Sequence, residues 1–392
     1  MGYKIKTINK ISPEGLAFFK DNYEVGNEVN QPDAILVRSS QVNTVEYPSV
    51  LAVGRAGAGV NNITVPEATA KGVCVFNTPG ANANAVAELV FIMLGTVARK
   101  ISQSIQFTQS LVSETSDEIL NEKVEANKSK YKGFELAGKK LAVVGLGKIG
   151  VKVANYGVHH DMDVIAYDPF PTISNIHMLS SNVTIVKTIA ELVEGADVIT
   201  VHVPLTEKTK GIISTSEIKA MKAGGIICNY ARKGIVDDGA VLTALEQDQL
   251  LSYITDFPSL KLLAQPKVIC TPHLGASTAE SEDNCALMIA QEIKDYLELG
   301  TVINSVNFPV IEMPRQKSTL SRLVVINKDV PNMIAHVTGI IGAAGVNIQS
   351  LANESNGKIG YNLIDFDSVL PQQVVDKISQ IENVIKVRLI SF

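Results

Sequence analysis

The run Gly145-Leu146-Gly147-Lys148-Ile149-Gly150 constrains this chain more than any other segment. The apolar, β-prone stretch Lys139 to Val144 precedes it, and Val151 to Tyr156 can continue as a helix, so the glycines fall at a strand-to-helix turn. Gly145 permits the tight turn, Gly147 lets the backbone approach a pyrophosphate, and Gly150 lets helix and strand pack closely. The helix N-terminus adds unpaired N–H groups and roughly half a positive charge. A second strand, Asp163 to Tyr167, then ends in Asp168 at the spacing where a carboxylate meets adenosine ribose hydroxyls. Strand, turn, helix and acid together imply a dinucleotide site. Because a carboxylate at that position repels a 2′-phosphate, NAD is expected over NADP.

The rest of the composition narrows the class. At 392 residues and 46% hydrophobic, the chain has room for two or three domains with their own cores. No apolar run reaches the roughly 18 residues of a membrane span, and Met1 to Lys10 lacks a secretory core, so a cytoplasmic protein without membrane partners is expected. Cys74, Cys228, Cys270 and Cys285 show no CxxC pair or ligand spacing, which argues against a metal site and a disulfide framework and for buried thiols. A net charge of −5 argues against nucleic acid as a partner. An anionic substrate therefore needs a local cluster of positive charge.

Along the chain, strand-like runs at Ala34 to Val37, Leu51 to Val53 and Val73 to Phe76 alternate with polar or helical connections, the α/β pattern of a parallel sheet. Asn84 to Val97 reads as a helix, and the charged region Asp117 to Lys132 as a solvated one. After the glycine turn, strand-like segments at Asp163 to Tyr167, Thr184 to Val186, Val198 to Val201, Gly225 to Asn229, Ser252 to Thr255 and Val268 to Cys270 suit one doubly wound sheet. Ser277-Thr278-Ala279-Glu280 has the form of a capping box for a helix through Tyr296 that returns the chain to the first domain. The C-terminal stretch from Leu323 to Ile390 reads as βαββαβ, after a proline-punctuated linker from Asn307 to Arg315. The expected fold is α/β: a discontinuous flavodoxin-like substrate domain (1–97 and 286–310), a Rossmann nucleotide-binding domain (98–285) and a ferredoxin-like C-terminal domain (318–392).

A dinucleotide site implies hydride transfer, which needs an acid/base for the substrate oxygen and a cation to polarise it. Three later segments end strands on the ligand-binding side of such sheets. His202-Val203-Pro204 follows an apolar strand; its backbone suits the cofactor, while His202 itself reads first as a histidine packed under the loop. The strand Gly225 to Asn229 delivers Arg232, whose forked donors suit a carboxylate and a keto oxygen, although a surface ion pair explains an arginine there too. His273 follows the next strand but one; an unperturbed imidazole titrates near ~6.5 and so lends and takes protons at neutral pH, and a packed histidine is the plain alternative.

With these residues in view, Val53 to Asn62, Asn77-Thr78-Pro79 with Ala87-Glu88-Leu89, the glycine turn, His202-Val203-Pro204-Leu205, Ala231-Arg232 with Gly234 to Asp237, and Pro272 to Thr278 resemble the D-2-hydroxyacid dehydrogenases. The resemblance runs from about Ala34 to Pro309, and the C-terminal stretch is similar to an ACT regulatory domain. It implies oxidation of D-3-phosphoglycerate to 3-phosphohydroxypyruvate, the step that begins serine synthesis, with Arg232 polarising the carbonyl and His273 as acid/base. It implies a phosphorylated hydroxy acid held by Arg38, Arg55 and the backbone of Ala56 and Gly57. NAD would be lined by Gly145, Gly147, Lys148, Ile149, Gly150, Asp168, His202, Val203, Pro204, Tyr230, Ala231, Arg232, Asp256, His273, Leu274, Gly275 and Ala276. A homo-dimer or homo-tetramer, and an amino-acid effector at the ACT-like domain, are implied as well. Read from the residues alone, Arg38 fits a structural ion pair as well as a ligand.

One departure stands out. The family places a glutamate shortly after the Asp256-Phe257 position to orient the histidine, whereas this chain reads Pro258-Ser259-Leu260-Lys261-Leu262. Either His273 works unaided or another acid substitutes, with Asp256 and Glu88 the candidates. Two other functions stay open on this ground: a dehydrogenase for an unphosphorylated acid such as glyoxylate or hydroxypyruvate, and a weakly catalytic NAD-sensing protein like the related C-terminal-binding corepressors.

Overall fold

Two parallel sheets and one antiparallel sheet organise the chain. The structure, a computed structural model, describes residues 2–20 and 22–392, which divide into two units, the described residues of 2–82 with 279–392 and those of 83–278. In the first unit, β1 (Tyr3–Ile8), β2 (Tyr23–Gly26), β3 (Ala34–Val37), β4 (Ala52–Arg55) and β5 (Cys74–Phe76) form a parallel sheet in the order β2-β1-β3-β4-β5. That is the flavodoxin-type order. The central strand β3 is buried throughout because both faces are covered, so it reads as a continuous apolar run. By contrast β1 carries Lys4 and Lys6 near the sheet edge, which hides it from a reading based on hydrophobicity.

In the second unit, β6 (Lys140–Val144), β7 (Asp163–Tyr167), β8 (Thr184–Ile185), β9 (Val198–Val201), β10 (Gly225–Asn229), β11 (Leu250–Thr255) and β12 (Val268–Cys270) form an all-parallel sheet ordered β12-β11-β10-β9-β6-β7-β8. Strand order reverses between β6 and β9, which makes that pair the switch point where such sheets bind ligands. Helices Ala83–Ala98 and Lys148–His159 share one apolar layer, while Leu192, Ile218, Val241 and Leu245 cover the opposite face. Ala83–Ala98 therefore packs with the nucleotide-type unit, although a first domain ending at residue 97 was the expectation; its apolar face meets the helix after the glycine turn.

The last sheet holds β13 (Ser321–Lys328), β14 (Ser350–Ser355), β15 (Ile359–Phe366) and β16 (Val384–Ser391), antiparallel in the order β14-β15-β13-β16, with helices Met333–Ala343 and Gln372–Ser379. Side chains alternate along β13: Leu323 and Val325 meet the two helices, whereas Val324 and Ile326 join Phe76, Tyr296 and Phe308 in the core of the first unit. The two central strands, β13 and β15, are thus buried on both faces, while the edge strand β14 is largely exposed. The segment expected as a linker is part of that core, since Phe308 and Ile311 are buried and Asn307 bonds Val73 O and the Val75 amide.

Polar clamps reinforce the junction. Arg322, fully buried, forms a two-pronged pair with Asp365 and donates from Nη1 to Leu299 O at 2.8 Å. Arg388 reaches Leu297 O and Tyr296 O, and the Tyr361 hydroxyl reaches Gly300 O. These acceptors lie at the C-terminal end of helix Ala279–Leu299, where carbonyls lack intrahelical partners and cations are favoured. Cys74, Cys228 and Cys285 are buried free thiols and Cys270 is partly exposed.

Candidate active site

In the second unit the functional side chains gather at the carboxyl ends of six parallel strands. β6 ends at Gly145, whose φ of +96° lies in the glycine-favouring region; a Cβ there would meet Val203 Cγ1 at 2.7 Å and His202 O at 2.8 Å. A Cβ on Gly150 would lie 1.9 Å from Gly145 O, so helix and turn touch there. Gly147, the N-cap of Lys148–His159, is different: a Cβ would meet nothing within 4 Å. No internal packing demands a glycine at that position, and its backbone stands open beside the helix N-terminus. Lys148 and Ile149 open the helix, Lys148 exposed and Ile149 packed in part beneath it.

Asp168 ends β7, and its two oxygens each accept one backbone amide, Leu146 N and Phe170 N, both at 2.8 Å. The carboxylate is fixed beside the glycine turn with lone pairs to spare, which suits two ribose hydroxyls. At the end of β9, His202 Nε2 lies 2.9 Å from Thr200 Oγ1, and Nδ1 is sealed from solvent without a partner. Burial lowers its pKa to about 3, so the ring stays neutral. His202 is the packed histidine of the sequence reading, Val203 is half-buried against the apolar layer, and Pro204 is exposed.

At the end of β10, buried Asn229 holds the turn: Oδ1 accepts the Ala231 amide at 3.1 Å and Nδ2 donates to Arg232 O at 3.0 Å. Tyr230 packs inward, and burial pushes its phenol well above the usual range. Arg232 is exposed, bonds only its neighbour Ala231 O at 2.7 Å, and has no carboxylate partner among the described residues. The surface ion pair that would have explained it is not there.

Asp256, 2% exposed at the end of β11, accepts the Thr271 hydroxyl, the Leu274 amide at 3.0 Å and the Gly275 amide at 2.7 Å. Its carboxylate shapes the loop after β12. His273 stands in that loop with φ of +57°, left-handed and uncommon outside glycine. Its exposed ring packs edge-on against Phe257, centroids 5.4 Å apart. Neither candidate acid supports the imidazole: Asp256 is consumed by the loop, and Glu88 accepts from Asn84. Ala276 completes the turn into Ser277, whose amide donates to Leu274 O.

In the first unit, Arg38 after β3 is paired with Glu282 at 2.7 Å. Arg55, the last residue of β4, donates from Nε to Arg38 O at 3.0 Å and from Nη1 to Gly59 O. It thereby shapes the Arg55–Gly59 loop. The amides of Ala56 and Gly57, expected to hold a carboxylate, already donate to Val37 O and Arg55 O, both at 2.8 Å. Backbone turning consumes them, and the donors left in the loop are those of Ala58 and Gly59. Glu282 and the Ala58–Gly59 amides carry no local sequence signal; only the folded loops single them out.

Comparison with known proteins agrees with this chemistry. Residues 99–275 match the profile of the D-isomer specific 2-hydroxyacid dehydrogenase NAD binding domain. A D-3-phosphoglycerate dehydrogenase of Haemophilus influenzae is 31% identical over 388 residues, 94% of this chain and 89% of that one. The Bacillus subtilis D-3-phosphoglycerate dehydrogenase is 36% identical over 302 residues, 74% of this chain, and this chain spans only 54% of its length. Those from Methanocaldococcus jannaschii and Archaeoglobus fulgidus are spanned to 58% and 60%. The crystal structure of NAD+-bound 3-phosphoglycerate dehydrogenase from Entamoeba histolytica superposes with a TM-score of 0.62 at 30% identity, covering 78% of this chain and 99% of that one. The second unit is an NAD-binding domain, and the chain belongs to the D-3-phosphoglycerate dehydrogenase family of D-2-hydroxyacid dehydrogenases.

Proposed function

We propose that this chain oxidises D-3-phosphoglycerate to 3-phosphohydroxypyruvate with NAD, in the cytoplasm, as the first step of serine synthesis. The observation that carries the reading is Arg232, an exposed guanidinium without a carboxylate partner among the described residues, delivered with His273 to the carboxyl edge of an NAD-binding sheet. Gly145, Gly147 and Gly150 fit a pyrophosphate, and Asp168 fits the ribose. NAD, held by these residues, would supply the acceptor for the hydride on C2 of the substrate. Neutral His273 takes the proton of the C2 hydroxyl and returns it in the reverse direction. Arg232 holds the carboxylate and the oxygen that becomes the keto group, and its charge offsets the negative charge developing there. The test is NAD reduction across a panel of D-2-hydroxy acids that includes 3-phosphoglycerate.

The C-terminal sheet domain is read as an ACT domain, on its βαββαβ order and the Gly345-Val346-Asn347-Ile348 segment. Asn332 stands at φ +69° where serine-responsive domains have glycine, and Asp329 is engaged by the Ser355 hydroxyl. We assign this domain mainly to holding subunits together in a homo-dimer or homo-tetramer, with a weakened amino-acid effector site.

A further inference from the structure

The turn between β14 and β15 carries the sequence's single Asn-Gly pair, Asn356-Gly357, and both residues are exposed. Gly357 stands at φ of +82°, in the region that favours glycine, and a Cβ there would meet nothing within 4 Å, so nothing crowds the residue. Around this pair the groups that an acyl transfer needs are assembled. The Gly357 N–H donates to Ser355 Oγ at 3.0 Å, and the Ser355 hydroxyl donates to Asp329 Oδ2 at 2.5 Å, which makes a two-step path for a proton from nitrogen to carboxylate. Asn356 Oδ1 accepts two amides, Lys358 N at 3.1 Å and Ile359 N at 3.0 Å, the arrangement that steadies an oxyanion. Asn356 Nδ2 donates to Asn307 O at 3.0 Å and so ties the turn to the first sheet, because Asn307 in turn holds Val73 O and the Val75 amide.

We propose that Asn356-Gly357 is a self-modification site, at which the chain converts Asn356 to aspartate or isoaspartate. The Gly357 nitrogen forms a bond to Asn356 Cγ and gives its proton through Ser355 to Asp329. Charge developing on Oδ1 is met by the amides of Lys358 and Ile359. The Cγ–Nδ2 bond then breaks, the proton passes to the leaving nitrogen, and ammonia departs from a cyclic succinimide. Water opens that ring at either carbonyl. No electrons are exchanged: one side-chain amide and one water become one carboxyl group and one ammonia. The aspartate product presents an oxygen where Nδ2 donated to Asn307 O, so a donor and an acceptor become two acceptors facing each other. Opening toward isoaspartate also lengthens the backbone of the turn by a methylene. Either way the hairpin loses its tie to Asn307, a one-way change that is independent of the activity proposed above.

The experiment incubates the full chain, folded and in urea, and reads isoaspartate at position 356 by enzymatic methyl-labelling and peptide mass. A pair that reacts only because of its sequence goes faster in the flexible, unfolded chain, whereas a built site reverses that order. The folded chain is expected to modify Asn356 at least as fast as the unfolded one. Ser355→Ala and Asp329→Asn should each slow the folded rate about tenfold, less than the ~10²–10⁴-fold of an enzyme's positioned general base, and leave the rate in urea unchanged. A folded rate below the unfolded one would overturn the proposal, as would folded rates untouched by both substitutions. The first comparison uses the unmutated chain and decides the matter even where a variant folds poorly.

Discussion

Asp256 Oδ2 accepts the amide of Gly275 at 2.7 Å, two residues beyond the histidine proposed as acid/base. With the Leu274 amide and the Thr271 hydroxyl on Oδ1, this buried carboxylate fixes the loop that holds His273 in its left-handed backbone. Asp256 acts on the loop, where the sequence suggests a cofactor contact or a substitute acid.

Asp256→Ala leaves two amides and a hydroxyl without their acceptor, so the loop relaxes and His273 drifts. A displacement of about 1 Å costs on the order of 10²-fold in rate. Turnover should fall by about that factor while NADH affinity, read by fluorescence titration, stays near its starting value. Lost NADH affinity with preserved turnover would make Asp256 a cofactor contact instead.

Asp168, held by Leu146 N and Phe170 N, is the residue we propose for the ribose hydroxyls. Charge-assisted bonds of this kind contribute about 1.5–3 kcal/mol each, so Asp168→Ala should reduce the preference for NAD over NADP by roughly 10- to 100-fold. Steady-state kinetics with both cofactors measure it. Comparable use of the two by the unmutated protein would contradict the assignment.

Lys386 on β16 is partly buried inside the first unit, where it donates to Val50 O at 3.1 Å; burial first, then Arg388 and Lys71, lowers its pKa to about 8. A folded-state value below the unfolded one, 10.5 for a free lysine, means that the unfolded chain binds the extra proton between pH 8 and 10.5. Docking of the C-terminal sheet should therefore gain stability as pH rises through that window and carry the penalty below it. Lys386→Met should flatten the dependence of Tm on pH from 8 to 10. An unaltered slope would show that other groups govern it.

On the proposed ACT reading, Asn332 and Asp329 lead to the expectation of a weak response to serine. With a side chain at the glycine position and Asp329 bonded to Ser355, millimolar L-serine should change the steady-state rate little. Strong inhibition that Asn347→Ala abolishes would show an intact effector site.

What the sequence discloses depends on how local the cause is. The Gly145–Gly150 turn, Asp168 and the strand-end placement of Arg232 and His273 are legible because each follows from residues adjacent in one βα unit. The βαββαβ order of the C-terminal domain is legible from alternation. Glu282 is invisible as the partner of Arg38, because the two meet only after helix Ala279–Leu299 returns to the first sheet. The docking of the C-terminal sheet is hidden in the same way: β13 is apolar on both faces, and nothing local says that Val324 and Ile326 face Phe76 and Tyr296 while Leu323 faces helices. Asn307 to Arg315 looks like a tether because prolines punctuate it, yet Phe308 and Ile311 find their burial in tertiary contacts.

The central claim is that a hydride leaves a phosphorylated D-2-hydroxy acid for NAD with His273 as the proton acceptor. It is tested most directly by following NADH formation with 3-phosphoglycerate, in the unmutated protein and in His273→Ala. The account predicts NADH formation in the first and a loss of ~10²–10⁴-fold in the second, with NADH binding retained. Full turnover by His273→Ala, or no NADH from 3-phosphoglycerate in a protein that binds NAD, would contradict it.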